Sequence, residues 1–257
     1  MKLARGACHI NSKMLKLLIM TGVWVALFFI VAWVSSIIFA LTQIELRGFS
    51  YLPFYAAFVL WTQFLCCGMF IIAHDACHGT VAPSHPRLNL WLGRIAAAFY
   101  AGFIFDSMVA KHQAHHAGPG LSSDPDFHSE KHGASRFFPW MIRFFGHYMS
   151  VVQFLSMCAV AQILMHGFHF KEKNVLIFWV LPSALSAVQL FFFGTYLPHR
   201  KVASETFPDR HHARNSSQNF LFSWLSCFHF GAYHHLHHQK PSVPWYALPL
   251  QKPEKQL

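Results

Sequence analysis

Acidic side chains are scarce: the 257-residue chain holds 10 Asp and Glu against 20 Lys and Arg, and only 12% of its residues are charged. Ordinary soluble domains carry about twice that share, so a soluble globular fold is excluded first. A carboxylate-bridged metal pair is excluded next, because soluble helical bundles build it from glutamates and Glu-x-x-His pairs, and no Glu-x-x-His occurs here. Cys8, Cys66, Cys67, Cys77, Cys158 and Cys227 show no C-x-x-C spacing, so no disulfide framework is implied. Glycine-rich dinucleotide, P-loop and flavin signatures are missing, which leaves the chain without visible means of holding its own reductant. Internal repeats and low-complexity tracts are absent too, and residues 1–257 read as one domain.

Apolar sequence is what the chain has instead: 54% of it is hydrophobic and 17% aromatic. A helix needs about 20 mainly apolar residues to cross a hydrocarbon core of roughly 30 Å. Four stretches meet that requirement, at about residues 16–41, 51–73, 148–168 and 174–197. Shorter apolar pieces at 88–105 and 219–230 read as interfacial or re-entrant helices. The expected fold class is therefore an all-α integral membrane protein with about four transmembrane helices, interfacial or re-entrant helices and a cytoplasmic histidine-rich cap.

Lys and Arg set the expected orientation, since cytoplasmic loops carry their excess. With both termini inside, only Arg47, Lys171 and Lys173 of the 20 fall on the outer side. Lys2, Arg5, Lys13 and Lys16 precede an apolar run longer than the core of a cleavable signal, so that run reads as a signal anchor. A net charge of +10 spread over membrane-proximal loops suits anionic lipid headgroups, and no nucleic-acid partner is expected.

Twenty histidines stand out against this background. His74 and His78 lie in HDACH, His112, His115 and His116 in HQAHH, and His234, His237 and His238 in HHLHH, each where an apolar stretch ends. Helical residues three and four apart share a face, so H-x-x-x-H and H-x-x-H-H aim their rings at common points. Neutral imidazoles suit iron, zinc or copper. A tetrahedral zinc takes about four ligands and a catalytic one about three, so this many histidines imply two metals. The topology above puts all three clusters on one side of the membrane.

The strings FIIAHDACHGTV, KHQAHH followed by DPDF, QLFFFGTYLPHR, and CFHFGAYHHLHH followed by VPWYALP resemble the bacterial β-carotene ketolase family, within the integral-membrane histidine-box oxygenases and desaturases. The likeness extends from about Phe54 to Pro249. It implies a ninth ligand, His199, and a pair of ferrous ions that use dioxygen as co-substrate. His229 matches a further family position, either as a ligand or as a hydrogen-bonder to one. The implied activity is oxidation of ring carbon 4 of β-carotene to a ketone by successive hydroxylation and dehydration, giving echinenone and canthaxanthin. Hydroxylated carotenoids such as zeaxanthin are implied second substrates, leading toward astaxanthin. Where this chain reads AGPGLSS between the second box and DPDF, relatives carry an extra histidine and more acid, a departure that bears on loop detail or substrate preference.

Metal-bound imidazoles usually pass their second N–H to a carboxylate or carbonyl. Asp75, Asp124, Asp126 and Asp209 are the candidates, with Asp124 and Asp126 first. His211 and His212 stand near the site or at the surface, His235 is the weaker partner in HHLHH, and His9, His85, His132, His166 and His169 belong to solvent or headgroups. Phe70, Phe99, Phe103, Phe191, Phe192 and Trp245 lie near the boxes, but sequence does not decide which of them contact substrate. Reducing equivalents must come from an external carrier such as a ferredoxin docking on the basic face. Two alternatives use the same residues differently: a carotenoid hydroxylase or fatty-acyl desaturase or hydroxylase, and a histidine-lined metal transporter.

Overall fold

A computed structural model describes residues 12–127, 136–202 and 206–251, with backbone alone for 12–20. Lys2, Arg5, Cys8, His9 and His132 lie outside the described residues. Those described are helical apart from connecting loops.

Three helices are long and apolar enough to cross a membrane. The apolar part of α1 (Ser12–Thr42) has 22 residues, Thr21–Thr42, which at about 1.5 Å per residue extend roughly 33 Å. α2 (Leu52–Cys77) begins with Pro53 in its first turn, where a missing N–H costs nothing. α7 (Glu172–His199) has 28 residues and contains two wider turns, Leu176–Val180 and Phe191–Tyr196.

Two further pairs of helices are sharply bent. α3 (Pro86–Ala101) turns by 97° into α4 (Phe105–Ala117), and α5 (Phe137–Tyr148) turns by 83° into α6 (Val151–Gly167). Counting each bent pair as one crossing raises the three spans to five. The first bend is made by Gly102, which takes a left-handed conformation (φ 64°) and lets the amides of Gly102 and Phe103 close back on Ala98 and Ala97. At the second, Ser150 accepts from the Gln153 amide at 3.1 Å and starts α6 afresh. The stretch expected as a third span from Tyr148 therefore starts at Val151, behind a separate helix.

α2 is the centre of the packing, in contact with α1, α3, α4 and α7. On α1, Ala26, Phe29, Trp33, Ile37 and Ala40 recur every three or four residues and are buried, while Trp24, Phe28, Val31 and Phe39 face outward. Gly68 of α2 receives the Phe29 ring where a Cβ would sit, so the two helices approach closely. At the end away from the histidines, the Asn174 amide donates to the carbonyls of Ala40 and Ile44 at 2.8 Å each, satisfying the last turn of α1 from the start of α7.

α2 and α7 both run toward the end where their histidines lie. α6 runs the other way, from the foot of α5 back to the start of α7, over roughly 25 Å. α8 (Phe220–Cys227) and α9 (His234–Gln239) close the histidine end. Between them Phe228 and His229 take consecutive left-handed conformations (φ 48° and 67°). Such strain costs about 1–3 kcal/mol per residue, and here it accompanies a tight turn. The turn sets the Phe228 ring among Phe29, Phe64 and Trp245, and brings Phe230 edge-on to His74 and His237.

Candidate metal centre

The last turn of α2 carries His74, with His78 as its C-cap; α4 carries His112, His115 and His116; α7 ends on His199; and α9 presents His234, His237 and His238. These nine rings meet in two adjoining groups. One consists of His74, His78, His112, His116 and His237, the other of His115, His199, His234 and His238, and within each the ligand atoms lie within 4.8 Å of one another. The groups touch where His116 stacks on His238, with ring centroids 4.3 Å apart.

The facing atoms are Nε2 in each of the five contacts at hydrogen-bond distance between the rings. His78 and His112 approach to 2.7 Å, His116 and His237 to 3.1 Å, His199 and His234 to 2.7 Å, His234 and His238 to 3.1 Å, and His115 and His238 to 3.2 Å. With a metal–imidazole bond of about 2.1 Å, two nitrogens at right angles around one ion stand about 3 Å apart. The observed spacings scatter about that value.

Tautomers tell the same story. His199 Nδ1 lies 2.7 Å from the carbonyl oxygen of His212, which can only accept, so the proton is on Nδ1 and Nε2 offers a lone pair. His115 Nδ1 donates likewise to Asp124 Oδ1 at 2.9 Å. Its Nε2 then joins a ring of nitrogens whose lone pairs converge, an arrangement that a cation satisfies and hydrogen bonding alone does not. Burial, and after it the neighbouring imidazoles, holds His234, His237 and His238 well below the ordinary imidazole range, so all three are neutral at pH 7. The donor set fits a non-haem pair of metals ligated by neutral imidazole.

The four aspartates separate by what they touch. Asp124 opposes its own burial with hydrogen bonds from His115 and from the amides of Gly120 and Asp126, and stays below the usual carboxylate range. Asp126 is pushed up by burial, accepts from the Tyr148 hydroxyl, and stands 3.9 Å from His115 Nδ1. Asp75 accepts from the Trp245 amide at 3.2 Å, and its other oxygen is 3.6 Å from His74 Nδ1, beyond hydrogen-bond reach. Asp209 holds His235 at 2.8 Å and accepts the His211 amide, so it orients residues beside the nine rather than one of them.

Other histidines fall away from the groups. His229 packs on Trp245 and shares a 2.9 Å contact with the Ser223 hydroxyl, outside both metal groups. His235 is turned to Asp209, His211 rests against the rims of His235 and His238, and His212 spans from the His199 contact to the Pro119 carbonyl. His85, His166 and His169 are exposed.

Against these rings opens an apolar cavity of about 550 Å³, a volume within the usual range for small-molecule sites. Its walls at the metal end include His74, His112, His115 and His234, with Phe70, Phe103 and Phe191 alongside. Three other aromatics that sequence left undecided lie elsewhere: Phe99 stacks on Trp33, Phe192 on Tyr196, and Trp245 backs Phe228. Sequence reasoning passed over Tyr148, Met157, Ala161, Ala184, Ala187 and Phe230, which also line the cavity. The available signal was residues three or four apart on one helix face, Ala184 and Ala187 on α7 and Met157 with Ala161 on α6.

Comparison with known proteins agrees with this geometry. The fatty acid desaturase family matches over residues 49–175 and 146–256. A β-carotene ketolase of Paracoccus sp. (strain N81106 / MBIC 01143) is 41% identical over 222 residues, covering 86% of this chain and 87% of the relative. A β-carotene ketolase of Haematococcus lacustris is 34% identical over 253 residues, covering 89% and 78%. A zeaxanthin 4-ketolase of Chlamydomonas reinhardtii is 36% identical over 203 residues, covering 76% of this chain and 43% of the relative. No solved structure matches the chain. Apolar spans, histidine boxes and relatives thus converge, and the chain belongs to the fatty acid desaturase family, within its group of β-carotene ketolases from bacteria and algae.

Proposed function

We propose that this protein oxidises ring carbon 4 of β-carotene to a ketone, giving echinenone and then canthaxanthin, and that it accepts hydroxylated rings such as those of zeaxanthin. The observation that carries the reading is the meeting of nine imidazoles at one end of an apolar cavity within the spans. His74, His78, His112, His116 and His237 would hold one iron, and His115, His199, His234 and His238 the other. Bound there, two ferrous ions would supply the two-electron activation of dioxygen that hydroxylation of an allylic ring carbon requires.

The chain's own part is placement. Asp124 and the His212 carbonyl fix the tautomers of His115 and His199, so that both rings present Nε2 inward. Phe70, Phe103, Phe191 and Phe230 enclose the ring end of the cavity and exclude water from the carbon to be oxidised. Each hydroxylation takes up one dioxygen, two electrons and two protons, puts one oxygen atom on carbon and releases the other as water. A second hydroxylation at the same carbon gives a geminal diol, and loss of water leaves the ketone.

Half-buried His78 and His116 form the rim of the centre, and the positive-inside distribution of Lys and Arg supports a cytoplasmic position for that rim and for both termini. Electrons then arrive from an external acidic carrier of the ferredoxin kind, drawn to the basic face. Expression in β-carotene-producing cells tests the reading directly by pigment chromatography. Echinenone and canthaxanthin are expected. Hydroxylated carotenoids alone, or altered fatty acids beside untouched carotenoids, would reject it, and so would a preparation that binds exchangeable zinc, holds no iron and leaves β-carotene unchanged.

A further inference from the structure

The cavity is much longer than one ring. On α7 its lining positions run from Thr195, beside the histidines, to Leu176, which at about 1.5 Å per residue is roughly 28 Å. On α6 they run from Phe154 to Met165, roughly 16 Å. A fully extended carotenoid is about as long as the hydrocarbon core is thick, roughly 30 Å. Length alone therefore matches the whole molecule rather than half of it.

The cavity is also open along its side. α6 and α7 come together at their far turn, Ile163–Gly167 against Glu172–Val175, and leave a slot between them. Phe154, Cys158 and Gln162 of α6 and Leu176, Val180 and Ala184 of α7 line the cavity and are also exposed. Small side chains at Ala161, Ser183, Ala184 and Ala187 keep the middle of the slot clear. At the far end Trp179 is on the wall, buried, and its indole N–H has no acceptor among the described residues. A buried donor without a partner is costly.

We infer that the slot between α6 and α7 takes up one full-length carotenoid sideways from the bilayer, one end ring at the imidazoles and the other at the far end beside Trp179. The inference rests on the carotenoid reading above. Its consequence is that the two rings are never at the centre together. After one ring becomes a ketone, the molecule leaves, turns end for end and re-enters, now with its new carbonyl at the far end of the cavity. The diketone therefore forms through a free monoketone.

Two measurements on full-length protein in β-carotene-containing membranes test this. In the first, labelled β-carotene is converted in the presence of excess unlabelled echinenone. Labelled echinenone is expected to accumulate, with labelled canthaxanthin diluted in proportion to the pool; undiluted labelled canthaxanthin would overturn the inference. In the second, Ala184→Phe is expected to slow β-carotene conversion at least tenfold while iron per chain stays at the wild-type value and a substrate with one ring and a short polyene tail is still oxidised. Wild-type conversion of β-carotene by that variant would also overturn it. Failure of the wild-type chain to make any ketone would instead sink the carotenoid reading, so the two failures are distinguishable.

Discussion

In the four-histidine group His115 and His199 each have a fixed acceptor behind the ring, the Asp124 carboxylate and the His212 carbonyl, while the buried Nδ1 atoms of His234 and His238, like those of His74 and His237 in the five-histidine group, have none among the described residues. The four-histidine group is wholly buried, and the five-histidine group has His78 and His116 at its half-buried rim. One half of the centre is thus sealed and held from behind at two of its four rings, and the other is held by its neighbours and open toward solvent. Ring identity is the same in both halves. What differs is the outer layer, and that layer governs how firmly a ligand is aimed and how easily its metal is reached.

The largest expected effect treats the two halves alike: His112→Ala in the open group and His238→Ala in the sealed one should each lower ketone formation more than a hundredfold, since orienting partners alone are worth about 10- to 100-fold. Pigment chromatography beside a membrane-fraction blot checks this, and activity surviving either change would mean that one half suffices. Mild chelation separates them. Iron should leave the rim-exposed group first, passing through a species with one iron per chain by metal analysis; simultaneous loss would erase the distinction. A smaller effect comes from the outer layer. Asp124→Asn should weaken metal binding by about 10- to 100-fold, while Asp209→Asn, which acts on His235, should change it by less than about tenfold. The reverse order would show that the carboxylates had been assigned to the wrong halves. His85→Ala, at an exposed position, should alter neither activity nor stability by more than about 0.5 kcal/mol.

The helix-borne histidines were legible because spacing within a helix is short-range. HDACH, HQAHH and HHLHH announce a shared face whatever surrounds them, and the described structure brings all three together with His199, the position supplied by family likeness. Asp124 could be suspected from its place near HQAHH. Asp209, ranked behind it, could not be given a partner, because whether it meets one of the nine rings or His235 depends on how the loop before α8 folds back. The bends at Gly102 and Met149 were hidden for a related reason: an apolar run states how much of the chain avoids water, not whether it is straight. Phe99 and Phe103 make the limit plain. They lie four residues apart on neighbouring turns, yet one stacks on Trp33 and the other lines the cavity, since Gly102 redirects the chain between them.

The crowding of nine imidazole rings has a bearing on endurance as well as on chemistry. Without cations, nitrogens at 2.7–3.2 Å from one another bring together the ends of α2, α4, α7 and α9 at a cost in unpaired polar atoms. Loaded, the same atoms become a brace that ties those four segments at one end, as ligation that exists only in the folded state adds its binding free energy to folding. Heating in detergent should therefore unfold the metal-stripped protein first at its histidine end, with the loaded form outlasting it by many degrees.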